Sequence, residues 1–377
     1  MTAAIDPFHA IAISRLAHQL QAEGRSIIHM QFGQPSTGAP APAIAAAQAV
    51  LASDPMGYWE SPLLKARIAR HYRDQYGLDV DPEQIILTCG ASPAFVMALS
   101  CVFQPGDRVA LARPGYVAYR NTLKALHMVP VEIACGTAER YQLTAAALAA
   151  IEPAPAGVIT ASPANPTGTI IADAELAAIA AVCKARGIRI ISDEIYHGIS
   201  FVGAASSLLS HDPDALIINS FSKYFSMVAW RLGWLLVPPD LIDAARARMG
   251  NLFLTPPSLS QHAGLIAMDC AHELDGHVAA YAANRAALLA ALPGMGITRI
   301  APPDGAFYIY ADIGHLTNDS MAFAEKLLRE TGIAAAPGID FDPVDGHRFL
   351  RISFAVSTPE THEAIARLGP WLAAQAG

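Results

Sequence analysis

The sequence predicts an α/β protein in which a large three-layer αβα domain with a mainly parallel sheet is joined to a smaller α+β domain. Between about residues 85 and 240, short apolar runs alternate with Ala- and Leu-rich stretches of helical character. This alternation is typical of a parallel sheet covered by helices on both faces. From about residue 258, a long helical stretch precedes further strand candidates, which predicts the second unit.

The same patterns predict each element in chain order. The strands of the large sheet are expected at 85–88, 109–111, 129–133, 158–160, 188–192, 216–219 and 232–237, with helices at about 91–103, 116–127, 144–151 and 173–186. A single helical stretch over 258–292 is expected to end at Pro293-Gly294. The small domain is expected to contain strands 306–313, 333–336 and 349–354 and a helix near 319–331.

Length and composition agree with this organisation. The chain has 377 residues, is 53% hydrophobic and 15% charged, and is therefore too apolar to be a disordered protein. Residues 1–45, here called the arm, are expected to contribute part of the small domain. Residues 46–275 then form the large domain and residues 276–377 the small C-terminal domain.

Charge and hydropathy argue against several classes of protein. The formal net charge is −8 and the sequence has no long basic run, so binding to nucleic acid is not expected. The apolar runs are interrupted before the roughly 18 residues that a membrane span needs, and the first residues do not resemble a signal peptide. Five widely spaced cysteines predict reduced thiols of a cytoplasmic protein, and the 13 histidines form no ligand-spaced cluster, so no metal site is expected.

The most informative motif surrounds Lys223. It comes directly after the predicted strand 216–219, at the end of a strand where open α/β sheets bind ligands. The Lys223 amine could form an imine with a carbonyl group, and Ser220, Ser222 and Arg231 could hold a phosphate. Taken alone, the motif is also compatible with a solvated lysine in a loop.

Two further motifs also follow strands. Asp193 could keep a ring nitrogen protonated and so make the ring an electron sink, and Tyr196 could donate to a ring oxygen. A helix cap for Asp193 and a packing role for Tyr196 are the alternatives. Asn165, between two prolines, could bind a ring hydroxyl or a carboxylate, in a segment that a tight turn would otherwise explain.

The remaining candidates lie at a helix start and in the last predicted strand. Gly90 allows the chain to approach a ligand closely, Ala91 follows it, and Ser92 is the expected helix N-cap; the free amides there could also bind a phosphate. In strand 349–354, Arg351 lies opposite the apolar face. It is either an exposed strand arginine or a clamp for a carboxylate.

Together these motifs resemble the class I and II aminotransferases, which are fold type I pyridoxal 5′-phosphate enzymes, from about Gly24 to the C-terminal helix. The resemblance implies that Lys223 forms a Schiff base with the cofactor and moves the proton, and that Asp193 pairs with the ring nitrogen. Other implied contacts are Asn165 and Tyr196 with the ring hydroxyl, Tyr116 stacked on the ring, and Gly90, Ala91, Ser92, Ser220, Ser222 and Arg231 around the phosphate. Arg351, Asn165 and the Gly33 backbone are implied to bind the substrate carboxylate.

The sequence also departs from the family pattern. The resemblance implies that Tyr58 reaches the neighbouring subunit's phosphate, although the segment after it is several residues shorter than usual. Ala229 replaces a usual glycine. In aspartate-specific members, an arginine about six residues before a Pro-Pro pair binds the substrate's side-chain carboxylate in the partner subunit's site. Counting back six residues from Pro256 reaches Gly250 here, with Arg248 nearby. Phe8, Ile11 and Ile13 of the arm would form an apolar lid, which favours neutral or aromatic substrates. Simple helix packing is the alternative role for these three side chains.

The resulting prediction is an aminotransferase that moves an amino group between an L-amino acid and a 2-oxo acid by ping-pong chemistry, as a homodimer with shared active sites. The alternative is a carbon–sulfur β-lyase acting on cysteine- or cystathionine-type substrates, since the same groups serve β-elimination. A cofactor-sensing regulator would need a DNA-binding domain ahead of the arm, and an inactive scaffold would be expected to lack Lys223 or Asp193. No membrane partner is expected.

Overall fold

A computed structural model of the chain describes residues 5–375. The helices are α1 His9–Ala22, α2 Ala41–Ser53, α3 Pro62–Tyr76, α4 Ala91–Val102, α5 Val117–Ala125, α6 Ala145–Ala149, α7 Asp173–Arg186, α8 Ile242–Leu252, α9 Ser258–Ala267, α10 Ala271–Ala291, α11 Ser320–Thr331 and α12 Thr358–Gln375. The strands are β1 Ile28–His29, β2 Ile85–Thr88, β3 Arg108–Arg113, β4 Val129–Ala134, β5 Gly157–Ala161, β6 Arg189–Asp193, β7 Leu216–Ser220, β8 Gly233–Leu236, β9 Tyr308–Asp312, β10 Ile333–Ala334, β11 Ala336–Pro337 and β12 Phe349–Ser353.

The large unit is built on a seven-stranded sheet with the order β2-β8-β7-β6-β5-β3-β4. All neighbouring strands run parallel except β8, which is antiparallel to both β2 and β7. The α/β class with a mainly parallel sheet is therefore confirmed. Because β5, β6 and β7 are parallel neighbours, the segments that follow them meet at one edge of the sheet.

Helices cover both faces of this sheet, because its central strands are apolar on both sides. One face packs against α2, α3, α7 and α9, where Leu64 and Trp234 are completely buried. The other face packs against α4, α5 and α8, with Leu99 and Leu123 completely buried. The result is the three-layer αβα arrangement.

The small unit is built on the antiparallel sheet β11-β12-β9, while β1 of the arm pairs in parallel with β10. Its core includes Ile13 of α1, Leu327 of α11 and Leu368 of α12. Helix α10 joins the two units, since Leu274 near its start belongs to the core of the large unit and Leu288 to that of the small one.

Two predicted elements differ from the structure. The helical stretch 258–292 is interrupted after Ala267, where a turn with Cys270 N–H donating to Ala267 O at 3.1 Å lets α9 follow the large sheet and α10 turn toward the small unit. The predicted strand 333–336 is two short strands, because β10 pairs with β1 and β11 with β12. Among the described residues, no helix is both long and apolar enough to cross a membrane.

Candidate active site

A cavity of about 300 Å³ opens where the carboxyl ends of β5, β6 and β7 face the small unit and the arm. The predicted site residues that line it are Gly33, Ala91, Ser92, Tyr116, Asn165, Asp193, Tyr196, Ser220, Ser222, Lys223, Arg231 and Arg351. They come from segments as far apart as the arm and β12. The fold therefore brings together residues that the sequence singled out one motif at a time.

Lys223 lies three residues beyond the end of β7 and its side chain enters the cavity. Its Nζ donates to the carbonyl oxygen of Gly33 at 2.5 Å and lies 5.7 Å from the centre of the Tyr196 ring. Burial lowers the pKa of the Lys223 ammonium to about 8, helped by the positive charges of Arg351 and Arg231 and opposed by Asp193. A larger fraction of the amine is therefore neutral near pH 8 than for an exposed lysine, as a nucleophile or base requires.

Asp193 is the last residue of β6 and is 3% exposed. Its Oδ1 accepts a hydrogen bond from the backbone N–H of Ile195 at 3.2 Å, and its Oδ2 accepts one from the hydroxyl of Tyr119. Burial raises the pKa of the carboxyl to about 6, and the Tyr119 hydrogen bond opposes this rise. The site thus holds a buried carboxylate that a cationic partner in the cavity would stabilise.

Tyr119 was not predicted as a site residue. It is three residues after Tyr116, and helix α5 places both rings beside the cavity with their centres 5.4 Å apart. The spacing of three residues on a helix is the sequence signal that could have indicated it. Nothing in the sequence shows that its hydroxyl reaches Asp193.

The start of α4 and the loop after β7 enclose the other end of the cavity. Helix α4 begins at Ala91 with Gly90 as its N-cap residue at φ 97°, so the prediction that Ser92 caps the helix is wrong. Only the glycine fits, because a Cβ at Gly90 would lie 2.6 Å from Nη2 of Arg231. The guanidinium therefore lies against the helix N-terminus. The buried hydroxyls of Ser220 and Ser222, whose oxygens are 2.8 Å apart, line the same cavity.

Arg351 lies in the central strand of the small sheet and is 2% exposed, so it is not the exposed strand arginine that the sequence left open. Its Nη1 donates to Asn165 Oδ1 at 2.8 Å and its Nη2 to the carbonyl oxygen of Gln31 at 2.6 Å. The Nε has no hydrogen-bond partner among the described residues. A buried cation at the cavity wall is suited to an incoming carboxylate.

Two predicted residues do not line this cavity. Gly90 lies just behind the Arg231 guanidinium and shapes the cavity without forming part of its wall. Tyr58 is 84% exposed and lies outside the cavity. A contact of Tyr58 with a cofactor therefore stays a prediction.

Comparison with known proteins agrees with this geometry. The family model described as "Aminotransferase class I and II" matches residues 26–368. The chain belongs to this family. It is an aminotransferase, an enzyme that transfers amino groups, of the fold type I group.

One relative and two solved structures illustrate the similarity. The aminotransferase is 46% identical to the valine–pyruvate aminotransferase of Mycobacterium tuberculosis over 100% of this chain and 98% of that protein. A crystal structure of an aminotransferase from Mycobacterium tuberculosis superposes with a TM-score of 0.96 at 46% identity, over 99% of this chain and 98% of that one. The aspartate aminotransferase of Thermus thermophilus with maleate gives a TM-score of 0.90 at 28% identity, over 97% of each chain.

The mouth of the aminotransferase cavity is formed by residues of the arm and of α5. Phe8 and Ile11, predicted as an apolar lid, both line it, whereas Ile13 is buried in the small-unit core. Ala118 and Thr122 were not predicted, although their spacing of four residues places them on one face of α5. Sequence reasoning missed them because neither side chain carries a chemical signature.

Proposed function

We propose that this aminotransferase uses pyridoxal 5′-phosphate to move an amino group between a neutral aliphatic L-amino acid and a 2-oxo acid such as pyruvate. The observation that carries the substrate class is the charge distribution of the cavity. Among the described residues that line it, the charged side chains are Asp193, Lys223, Arg231 and Arg351. Each of them has a role toward the cofactor or a carboxylate, so the substrate side chain meets uncharged groups.

The residues of the cavity fit pyridoxal phosphate chemically. An aldehyde matches the buried amine of Lys223, a ring nitrogen matches the carboxylate of Asp193, and a phosphate matches Arg231 at the start of α4. Tyr116 offers an aromatic ring, while Asn165, with its Oδ1 occupied by Arg351, keeps its Nδ2 available to a ring oxygen.

The bound cofactor would supply an electron sink for the electrons released when the substrate loses its Cα proton. The Lys223 amine would take the proton from the substrate Cα and deliver it to the cofactor carbon that carries the transferred nitrogen. Asp193, ionised at neutral pH, keeps a proton on its ring partner. Arg351 binds the substrate carboxylate, and Asn165 orients the guanidinium through the 2.8 Å hydrogen bond.

The uncharged wall supports an aliphatic substrate over a dicarboxylate. Phe8, Ile11 and Phe32 are apolar. In aspartate-specific members the arginine for the side-chain carboxylate comes from the partner subunit, but Gly250 stands at its position here and Arg248 is the arginine nearby. Its guanidinium instead donates to the carbonyl oxygen of Ala244 at 3.0 Å within α8. The name of the Mycobacterium tuberculosis relative, a valine–pyruvate aminotransferase, supports the same substrate class.

We also propose a homodimer in which Tyr58 reaches the partner's phosphate site. Tyr58 is exposed beside further exposed apolar side chains, with Leu63 at 65%, Leu252 at 57% and Leu254 at 51% exposure. The two segments that carry them are joined where Ser258 Oγ donates to the Gly57 carbonyl oxygen at 2.6 Å. An exposed apolar surface of this kind is typical of a protein interface, and a monomer in sedimentation velocity at micromolar concentration would contradict the proposal.

We propose that residues 1–45 form the arm and part of the small domain, residues 46–275 the large cofactor-binding domain and residues 276–377 the small C-terminal domain. The separate cores and the passage of α10 from one to the other support this division. The cytoplasmic location that was inferred from the cysteines stays a prediction.

The decisive experiment uses the protein loaded with pyridoxal phosphate and no oxo acid. L-Valine is expected to convert the absorbance of the bound aldehyde form to that of the amine form, with pyruvate restoring it, whereas L-aspartate reacts slowly. A preference for aspartate would contradict the proposed substrate class. Steady release of pyruvate and ammonia from a cysteine-type substrate, with the initial absorbance retained, would instead establish the β-lyase.

A further inference from the structure

Tyr308 is a completely buried residue at the start of β9 that contacts three groups of the cavity wall without lining the cavity itself. Its hydroxyl oxygen is 2.6 Å from the hydroxyl oxygen of Tyr196. Its ring lies under the guanidinium of Arg351, with Cζ 4.5 Å from the ring centre. A Cβ at Gly33 would overlap the Tyr308 hydroxyl, so this side chain also packs directly beneath the Gly33 backbone.

The hydrogen bond between the hydroxyls of Tyr308 and Tyr196 determines to which acceptor Tyr196 can donate its own proton. Each hydroxyl has one proton to donate, and Tyr196 is the acceptor that the structure offers to Tyr308 among the described residues. When Tyr308 donates to Tyr196, the Tyr196 proton is available to an oxygen acceptor in the cavity. Two hydrogen bonds in series strengthen each other, so Tyr308 makes Tyr196 a better donor.

Both hydroxyls keep their protons in the working pH range. Burial raises the pKa of Tyr308 to about 12 and raises that of Tyr196 well above its ordinary value. The ionisable groups that face Tyr196 are Lys223, Asp193 and Arg351, apart from Tyr308 itself.

The ring of Tyr308 acts on the second group. Arg351 contacts a second aromatic ring, since its Cζ is also 4.7 Å from the centre of Phe341. Tyr308 and Arg351 are diagonal neighbours on β9 and β12, because Arg351 is paired with Tyr310 and Tyr308 with Ser353. Cation–π contact with two rings restricts the guanidinium and stabilises its charge.

We propose that Tyr308 is a positioning residue that serves both halves of the site, its hydroxyl directing the Tyr196 proton into the cavity and its ring holding Arg351 in the plane that receives a carboxylate. This inference rests on the proposed function, in which Tyr196 donates to the ring oxygen of pyridoxal phosphate and Arg351 binds the substrate carboxylate. These two roles of Tyr308 can be tested separately, because the first depends on its hydroxyl oxygen and the second on its ring.

Tyr308→Phe and Tyr308→Leu in the loaded protein test these halves separately. The first measurement is the pH midpoint of the absorbance change of the bound cofactor. A donor to the ring oxygen withdraws negative charge from it, so the proton shared between this oxygen and the lysine nitrogen is released at lower pH. Both variants lose the oxygen and are therefore expected to raise the midpoint by about half a pH unit.

The second measurement is the affinity for 3-methylbutanoate, a carboxylate without an amine, by titration calorimetry. Tyr308→Phe retains the ring and is expected to change this affinity by less than about twofold, whereas Tyr308→Leu weakens it by about fivefold. If Tyr308→Leu folds poorly, Phe341→Leu serves instead, because it removes the other aromatic ring in contact with Arg351. It is expected to weaken 3-methylbutanoate binding while leaving the pH midpoint of the absorbance change unchanged.

Tyr310→Phe is the matched control. Tyr310 lies two residues along the same strand, is 1% exposed and has a hydroxyl without a hydrogen-bond partner among the described residues. Tyr310→Phe should therefore leave both the pH midpoint and the affinity for 3-methylbutanoate unchanged. An unchanged midpoint in Tyr308→Phe, or wild-type carboxylate affinity in both ring-removing variants, would overturn the proposal. A wild-type protein that binds no pyridoxal phosphate would instead overturn the proposed function.

Discussion

The floor and the mouth of the cavity are built in different ways. The floor, defined here by Asn165, Asp193, Ser220 and Lys223, consists of residues that lie at or within four positions of the end of a parallel strand. The mouth, defined by Phe8, Ile11, Ala118 and Thr122, consists of side chains from the arm and α5. Sheet topology alone determines the floor, whereas the mouth depends on how two distant segments pack against each other.

The two regions also differ in the interactions that hold them. On the floor, Asp193 is fixed by two hydrogen bonds inside the protein. At the mouth, Asp6 is held by Lys124 at 2.7 Å with both side chains partly exposed. The start of α1 is held differently, since the backbone N–H groups of His9 and Ala10 donate to the buried carboxylate of Asp340, each at 2.7 Å. Buried hydrogen bonds lose more when broken than exposed ion pairs do. The floor should therefore govern chemistry, and the mouth substrate binding.

The largest effect is expected for Lys223→Ala. Loss of the amine removes both the covalent attachment of the cofactor and the group that moves the proton, so turnover should fall by roughly 10⁴-fold or more. The absorbance of the attached cofactor should disappear, while circular dichroism remains that of the wild type.

Lys184→Ala is the control for Lys223→Ala, because Lys184 is exposed on α7, away from the cavity. Its turnover should equal that of the wild type. If the Lys223→Ala enzyme retains transamination at the wild-type rate, Lys223 does not carry the chemistry. The floor would then differ from the mouth in structure only.

The difference between floor and mouth explains what the sequence could predict. Lys223, Asp193 and Asn165 each follow an apolar run that reads as a strand, so local patterning and topology place them at one sheet edge. The Tyr119 hydrogen bond to Asp193 and the position of Tyr308 under Arg351 depend on side-chain packing between distant segments, which periodicity does not encode. For the same reason, the lid residues were proposed from their apolar character, whereas their partners Ala118 and Thr122 were missed.

The second effect concerns the stability of the floor. Glu194 follows Asp193 and is 2% exposed; its Oε1 accepts hydrogen bonds from Ser207 Oγ at 3.1 Å and Leu208 N–H at 2.9 Å, but its Oε2 has no partner among the described residues. The nearby Nδ1 of His197, 3.6 Å away, is already bonded to a tyrosine hydroxyl. Burial therefore raises the pKa of the Glu194 carboxyl to about 7.

A raised carboxyl pKa means that the protonated form is favoured by folding. The contribution of Glu194 to stability is fully present below about pH 4.5 and is lost as the pH rises through about 7, amounting to up to about 3 kcal/mol. Glu194→Gln cannot ionise and retains the Oε1 acceptor, so it should be more stable than the wild type at pH 8 but not at pH 4.5. Urea unfolding at both values measures this.

Glu152→Gln provides the comparison for Glu194→Gln, since Glu152 is 78% exposed and pairs with Arg186. Removing such an exposed pair should change the free energy of unfolding by less than about 1 kcal/mol at either pH. If Glu194→Gln follows the same pH profile as the wild type, burial does not keep the Glu194 carboxyl protonated and its surroundings solvate the charged form.

The third effect sharpens the role of the mouth. Phe8 packs edge-on against Tyr116, with ring centres 6.4 Å apart, and covers the cavity. Phe8→Ala removes apolar surface from contact with an aliphatic substrate, and the KM for L-valine should rise by about tenfold. The kcat should change by less than about threefold, because Phe8 packs against Tyr116, which flanks the cofactor ring, and not against Lys223, which moves the proton. Arg15→Ala, on the exposed face of α1, should change neither constant.

The smallest effect is expected at the ion pair that holds the arm to α5. The hydrogen bond from Lys124 keeps the pKa of the Asp6 carboxyl below its ordinary value, so this group stays ionised throughout the assay range. Because the pair is partly exposed, Asp6→Asn should raise the KM for L-valine by only about two- to threefold at low ionic strength, and the effect should disappear in 0.5 M salt. Asp74→Asn breaks a similarly exposed pair with Arg70 on α3 and should leave the KM unchanged. A KM effect of Asp6→Asn as large as that of Phe8→Ala would mean that electrostatic attachment of the arm, rather than apolar contact with the substrate, controls the mouth.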